Sequence, residues 1–444
     1  MHNKKVLKEK HYAHFDKRIS AKEMTAYVSN PYKVARHGFM PLIHFTRKDI
    51  KYTKINGRKT KLRDLCYVSH KDAYVYQWYA NLINIHYNER VSKDATNNCV
   101  IAYRNNKTGK FNAHFAKEAI DFIREKKSCY IIIGDFTGFF DNLDHSYLKE
   151  RLCDLLQVER LTEDYWAVLK NVTKYSWFEL DDLLKLNNLD NYKDINKLPA
   201  VLSTEQLHHS KEEYLRKNMN SYGIPQGTPI SAVLSNVYMI EFDKKINDFI
   251  TSAKGLYRRY SDDFIVVIPA ENAIDKIWES ISAIIKQTPN LKLQPLKTKL
   301  FKYDNEVLLN CNSKIFPTLN DSKNELEYLG FSFNGKKVSL RSKTISKFYY
   351  RAYHRVDNLI LRENGIVNKK PDYYTLYKNY THLGKSTKGK NRGNFLTYVD
   401  RCIEVFGEQE MVSQVRKRHW KRINDRIKKS INNSALCILH SALL

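Results

Sequence analysis

The stretch GLYRRYSDDFIVVIP, residues 255–269, constrains the fold more than any other segment of the chain. Two apolar runs rich in aromatic and β-branched residues flank a Ser-Asp-Asp tip, the pattern of a hairpin with buried flanks and two adjacent carboxylates, Asp262 and Asp263, at its turn. Adjacent acidic residues in a turn ordinarily need no function, because Asp tolerates turn geometry and hydrates well. The rest of the chain makes this pair unusual. It carries 75 Lys and Arg against 48 Asp and Glu, a formal net charge of +27, which points to a polyanionic partner such as nucleic acid.

That charge is not evenly spread. Residues 331–444 hold 24 Lys and Arg against 8 Asp and Glu, so +16 of the total lies in the last quarter. A hydrophobic content of 42% and aromatic content of 12% suffice for packed cores and exclude a disordered chain. The N-terminal MHNKKVLKEKHYAHF is charged from its start, unlike a signal peptide, and no apolar run reaches the roughly 18 residues of a membrane helix. Cys66, Cys99, Cys129, Cys153, Cys311, Cys402 and Cys437 form no CxxC pair, which fits neither a zinc ribbon nor a disulfide framework. A soluble, cytoplasmic protein without membrane partners is expected.

Three regions are expected. Residues 1–125 mix basic loops with amphipathic helical stretches, DAYVYQWYANLINIHYNE and FAKEAIDFIREK. Residues 126–335 alternate short β-rich runs with helices, interrupted at about 180–220 by a polar stretch that reads as a helical insertion. Residues 336–444 read as helical and strongly basic, and SKFYYRAYHR, KSTKGKNRGNF and VRKRHWKRINDRIKK interleave aromatics with charge. Such interleaving suits stacking on single-stranded nucleic acid; placing Tyr349, Tyr350 and Trp420 in a helical core is the preferred alternative.

Upstream of the hairpin, YIIIGDFTGFFDNLDHSYL places Asp135 at the end of a buried strand, where open α/β sheets present reactive groups. Asp141 or Asp144 reads as the N-cap of a helix beginning near His145. Between the two acidic sites lies YGIPQGTPISAVLSNVYMIEFD. Here Gly223 and Gly227 free the backbone around Gln226, and Ile230, Val233, Leu234, Val237 and Ile240 recur at helical spacing.

In this order, GDFTGFFDNLDH, GIPQGTPISAVLSNVY and YSDDF resemble the palm motifs of the reverse transcriptases. LKLQPLKTKLF and EYLGFSF continue that order, and KLRDLCYVSHKDAYVYQWY and NCVIAYRNNKTGKFNAHFAKEAIDFI resemble the basic fingers segments, so the resemblance spans roughly residues 55–340. It implies an α+β right-hand polymerase fold with fingers, a palm sheet and a helical C-terminal thumb. It also implies an RNA-directed DNA polymerase acting on dNTPs with two Mg²⁺ ions about 4 Å apart, an in-line displacement that needs charge neutralisation more than covalent chemistry.

By that resemblance Asp135 and Asp262 are metal ligands, with Asp263 ligating or supporting and the Phe136 carbonyl completing one shell. Phe140 stands where an aromatic blocks a ribose 2′-hydroxyl, with a core Phe as the alternative; Gln226 faces the nucleotide; Arg63 and Arg104 contact triphosphate or template, or else are solvated surface. Lys297 is the general acid for the leaving pyrophosphate, with Lys299 as the substitute.

Departures narrow the subgroup. Ala232 follows Ser231 where many group II intron relatives carry Pro, and no cysteine-rich endonuclease module is present. The insertion and GNFLTYVDRC resemble instead the bacterial antiviral defence reverse transcriptases, which implies an RNA template or companion noncoding RNA, a DNA product, and a second protein or homo-oligomer. Template-independent or protein-primed synthesis, and a non-catalytic RNA-binding scaffold, stay open.

Overall fold

The computed structural model describes residues 7–53, 57–317, 323–365, 370–384, 393–408, 411 and 414–441. Its strands are β1 Leu42–Thr53, β2 Gly57–Tyr67, β3 Ser128–Asp135, β4 Ser176–Glu179, β5 Arg216–Lys217, β6 Leu256–Tyr260, β7 Asp263–Pro269, β8 Lys299–Asp304, β9 Val307–Asn310, β10 Leu326–Tyr328, β11 Phe331–Phe333 and β12 Val338–Leu340. Helices are interspersed throughout, an α+β arrangement. The chain forms two compact units: residues 1–108, 134–266 and 275–298 make the first, and residues 109–133, 267–274 and 299–444 the second.

In the first unit, β1 and β2 form a long antiparallel hairpin from Ile43↔Tyr67 to Thr53↔Gly57, and β4 and β5 extend the sheet in the order β2-β1-β4-β5. The expected insertion folds as four short helices, Leu180–Leu186, Tyr192–Ile195, Thr204–His209 and Lys211–Tyr214. Leu183, Ile195, Val201 and Leu202 from this segment bury against Phe15, Ile43 and Phe178, so it has its own small core. The helix His70–Lys93 sinks Tyr74, Tyr76, Tyr79, Ile83, Tyr87 and Val91. Its Ser69 cap accepts from the Asp72 amide.

The hairpin expected at residues 255–269 is present as β6 and β7, with the end of β3 beside β7. Gly134 sits where a Cβ would run into the Phe264 ring, so only glycine lets these strands approach. The apolar stripe expected after Pro229 is buried at all five positions, but the helix breaks at Met239 into Ser231–Tyr238 and Ile240–Ser252.

In the second unit, β3 pairs antiparallel with β8, from Ser128↔Asp304 to Ile133↔Lys299, and β8 with β9. β10, β11 and β12 form a three-stranded antiparallel sheet. Helices Asn112–Lys126, Ser342–Glu363, Tyr373–Tyr380, Phe395–Phe406 and Gln414–Ser441 pack on one another, with Asn112–Lys126 and Phe395–Phe406 against β11. Arg426 is ion-paired with Asp357 across two of the helices, and the Asn112 amide donates to the Tyr398 hydroxyl at 3.0 Å. The expectation of a three-residue aromatic core here needs correction. Tyr349 is buried, but Tyr350 and Trp420 are 65% and 44% exposed, because they fall on the outer faces of their helices. Residues 385–392 of KSTKGKNRGNF, residues 1–6 and the Cys437 side chain lie outside the described residues. Among the described residues no helix is long and apolar enough to cross a membrane.

Candidate active site

All nine residues expected at the site belong to the first unit. Asp135 ends β3 and is buried, and the Phe136 amide that follows it donates to the Asp262 carbonyl at 3.2 Å. That bond ties the end of β3 to the hairpin tip. The other side of this segment is tied down as well: Gln294 N–H donates to the Asp135 carbonyl and Thr137 N–H to the Lys292 carbonyl, both at 2.8 Å. These two bonds flank Phe136, whose ring is buried among Phe139, Phe242 and Phe264.

The end of β3 and the hairpin tip, nearly 130 positions apart in the chain, thus meet. Partial burial, the adjacent Asp262 charge and a hydrogen bond shared with Asp135 push the Asp263 carboxyl up to about 7, although its outer side faces solvent. Burial and the Asp135 charge also push Asp262 up. Lys297, from the short 3₁₀ turn Pro295–Lys297, lays its ammonium on the Asp135 carboxylate. Lys299, the alternative lysine, sits on β8 opposite Ile133.

Phe139 is buried and Phe140 only half-buried, edge-on to it with ring centroids 5.5 Å apart, so the core role belongs to Phe139. Gln226 is half-buried, and its Nε2 donates to Asp141 Oδ1 at 3.1 Å. Its carbonyl accepts from the Cys66 amide at 2.8 Å, at the end of β2. Gly227 has φ +106°, and a Cβ there would lie 2.7 Å from the Cys66 carbonyl, so the tight passage requires glycine. Arg63, also on β2, is ion-paired with Asp49.

Of the two candidate caps, Asp144 caps the helix His145–Leu156 by accepting from the Tyr147 amide at 2.8 Å, and Asp141 accepts from Gln226. Arg104 turns inward: its guanidinium donates to Asn88 Oδ1 at 2.8 Å, Asn97 Oδ1 at 2.7 Å and the Val100 carbonyl at 3.2 Å. The pairing of Asp141 with Gln226 had no local signal, since the two are 85 residues apart.

Among the described residues no group of three or more His, Cys, Asp and Glu side chains is placed to hold a metal ion by itself. The donor set nonetheless suits a hard divalent cation. It offers carboxylate oxygens, excess negative charge and an open side, and Mg²⁺ retains waters and takes substrate oxygens in preference to an all-protein cage.

The family model described as reverse transcriptase (RNA-dependent DNA polymerase) matches residues 102–333, just over half of the chain, and the chain belongs to that family. Its fold is mixed α+β, and the family is one that generally uses divalent metal ions. No curated protein matches significantly. Among solved structures, apo telomerase from Candida tropicalis truncated from its C-terminal domain is 14% identical with a TM-score of 0.40, covering 72% of this chain and 59% of that one. Telomerase from Candida albicans, in complex with a fragment of telomeric RNA, is 13% identical with a TM-score of 0.41, covering 92% of this chain and 62% of that one. The chain therefore spans less than two thirds of the length of either.

Proposed function

We propose that this protein copies an RNA template into DNA from dNTPs, with Asp135, Asp262 and Asp263 holding two Mg²⁺ ions. The observation that carries the reading is the meeting of the end of β3 with the hairpin tip: the Phe136 amide donates to the Asp262 carbonyl, the Asp135 and Asp263 carboxyls interact, and the Lys297 ammonium contacts Asp135. Bound Mg²⁺ would neutralise triphosphate charge and lower the barrier to attack by the primer hydroxyl.

The chain's own residues have separate tasks. The three carboxylates and the Phe136 carbonyl supply oxygen ligands. As the primer 3′-oxygen bonds to the α-phosphorus and the bond to pyrophosphate breaks, Lys297 donates a proton to the departing oxygen. Phe140 packs against the sugar and excludes a 2′-hydroxyl, Gln226 lies against the nucleotide, and Arg63 meets the triphosphate once it leaves Asp49. The basic helices of residues 336–444 act as a thumb that tracks phosphates, with salt-sensitive affinity. The resemblance to defence reverse transcriptases supports a cytoplasmic role in antiphage defence with a companion noncoding RNA.

Purified protein, stripped of bound RNA by nuclease, is incubated with Mg²⁺, dNTPs and a primed RNA of known sequence. Template-dependent cDNA is expected, and Asp262→Ala abolishes it while keeping the melting transition. Equal product without template would overturn the templated reading in favour of template-independent synthesis, and undiminished incorporation by Asp262→Ala would overturn the site assignment.

A further inference from the structure

Beneath the hairpin tip lies a buried charge that the chemistry above leaves without a task. Arg259, on β6, is 0% exposed. Its Nε and Nη2 donate to Asp243 Oδ1 and Oδ2 at 2.8 and 2.6 Å, and Nη2 also reaches Asn236 Oδ1 at 3.3 Å. Nη1 donates in a third direction, to the backbone carbonyl of Ser261 at 2.9 Å. Asp243, on the helix Ile240–Ser252, is 1% exposed and accepts a further bond from the Tyr257 hydroxyl at 2.7 Å. The Arg259 backbone is held too, donating to the Cys99 carbonyl at 2.7 Å and accepting from the Ile101 amide at 3.0 Å.

Ser261 needs such a hold. Its φ is +61°, the left-handed region that non-glycine residues adopt only when their surroundings enforce it. Asp262 follows directly, and its own carbonyl accepts from Phe136. Two successive carbonyls of the tip are therefore pinned, one from each side, and the catalytic carboxylates leave the backbone at and just after those points.

Stability gives a weak reason for this arrangement, because an apolar pair of the same volume generally serves a core as well as a buried ion pair does. An apolar pair could not donate to Ser261. The planar guanidinium bonds in three directions while staying anchored to a helix, which a lysine ammonium cannot reproduce. We propose that Arg259 is a positioning residue: anchored by Asp243, it fixes the Ser261 carbonyl and thereby the direction in which Asp262 and Asp263 present their carboxylates to Asp135. The expected effect on catalysis rests on the polymerase reading; the anchoring does not.

Arg259→Lys keeps a charge for Asp243 but cannot also span to Ser261. Expected is a fall in kcat for dNTP incorporation on the order of 10²-fold, as for a small misplacement of reacting groups, with KM for dNTP changed less than about threefold. Amide exchange at Phe136 and across residues 260–264 of the metal-free protein should quicken by about tenfold or more. The double variant Arg259→Gln, Asp243→Asn leaves no unpaired buried charge and replaces the lysine variant should that one not fold. Parent-like kcat together with parent-like exchange in a folded variant overturns the proposal. Faster exchange in the variants of a parent that incorporates no dNTP supports the anchoring and overturns the polymerase reading instead.

Discussion

The Lys297 ammonium rests on the Asp135 carboxylate, 162 positions earlier in the chain. A single lysine thus touches the residue that ends β3 while standing on a turn exposed enough to meet a substrate. The two tasks proposed for it, counter-charge and proton donor, separate by mutation. Lys297→Ala should lower the incorporation rate by about 10²–10⁴-fold, the range of general acid catalysis, and should tighten divalent-cation binding measured calorimetrically, because the resident cation is gone. Lys297→Arg should lose the rate alike but not tighten the cation. An unchanged rate in both variants would remove Lys297 from the chemistry.

Phe140 is half-buried beside buried Phe139, so trimming it should disturb selection more than folding. Phe140→Ala is expected to raise rNTP incorporation relative to dNTP by about 10- to 100-fold, with dNTP kcat/KM kept within about tenfold. Single-nucleotide extension with matched dNTP and rNTP measures this directly. Preserved discrimination would return Phe140 to a packing role.

Asp141 accepts from the Gln226 amide and fixes which way that amide points. Asp141→Ala should raise KM for dNTP by about 3- to 10-fold, the worth of one hydrogen bond, with kcat little changed. If Asp141→Ala left KM unchanged while Gln226→Ala raised it, the orienting bond would be dispensable.

The pH dependence follows from Asp263, raised from 3.8 to about 7 by partial burial, the Asp262 charge and Asp135. Between those values the folded protein holds a proton that the unfolded chain has released. The melting temperature of the metal-free protein should therefore fall as pH rises from about 4 to about 7 and level off above that, with solvent at the outer side of Asp263 moderating the slope. Asp263→Asn should flatten this component, and adding Mg²⁺ to the parent within the window should release protons. An identical pH profile for Asp263→Asn would show that the carboxyl titrates at its ordinary value.

Short-range pattern alone determined a good deal of this molecule. The apolar run before Asp135, the stripe from Ile230 to Ile240 and the flanks of the Ser-Asp-Asp tip are each set by residues within one element, where side-chain period and backbone propensity act locally. Their order along the chain was enough to expect a polymerase palm. Tertiary structure decided what local pattern could not encode. It set Lys297 on Asp135 and Lys299 on β8, turned Arg104 into its own loop, put Tyr350 and Trp420 on the outside, and gave Asp144 to the helix cap and Asp141 to Gln226. It also sank Arg259 against Asp243. Which polar groups pair across 16, 85 or 162 positions depends on where folded elements aim their side chains, and burial leaves each such group a cost that only one correctly placed partner offsets.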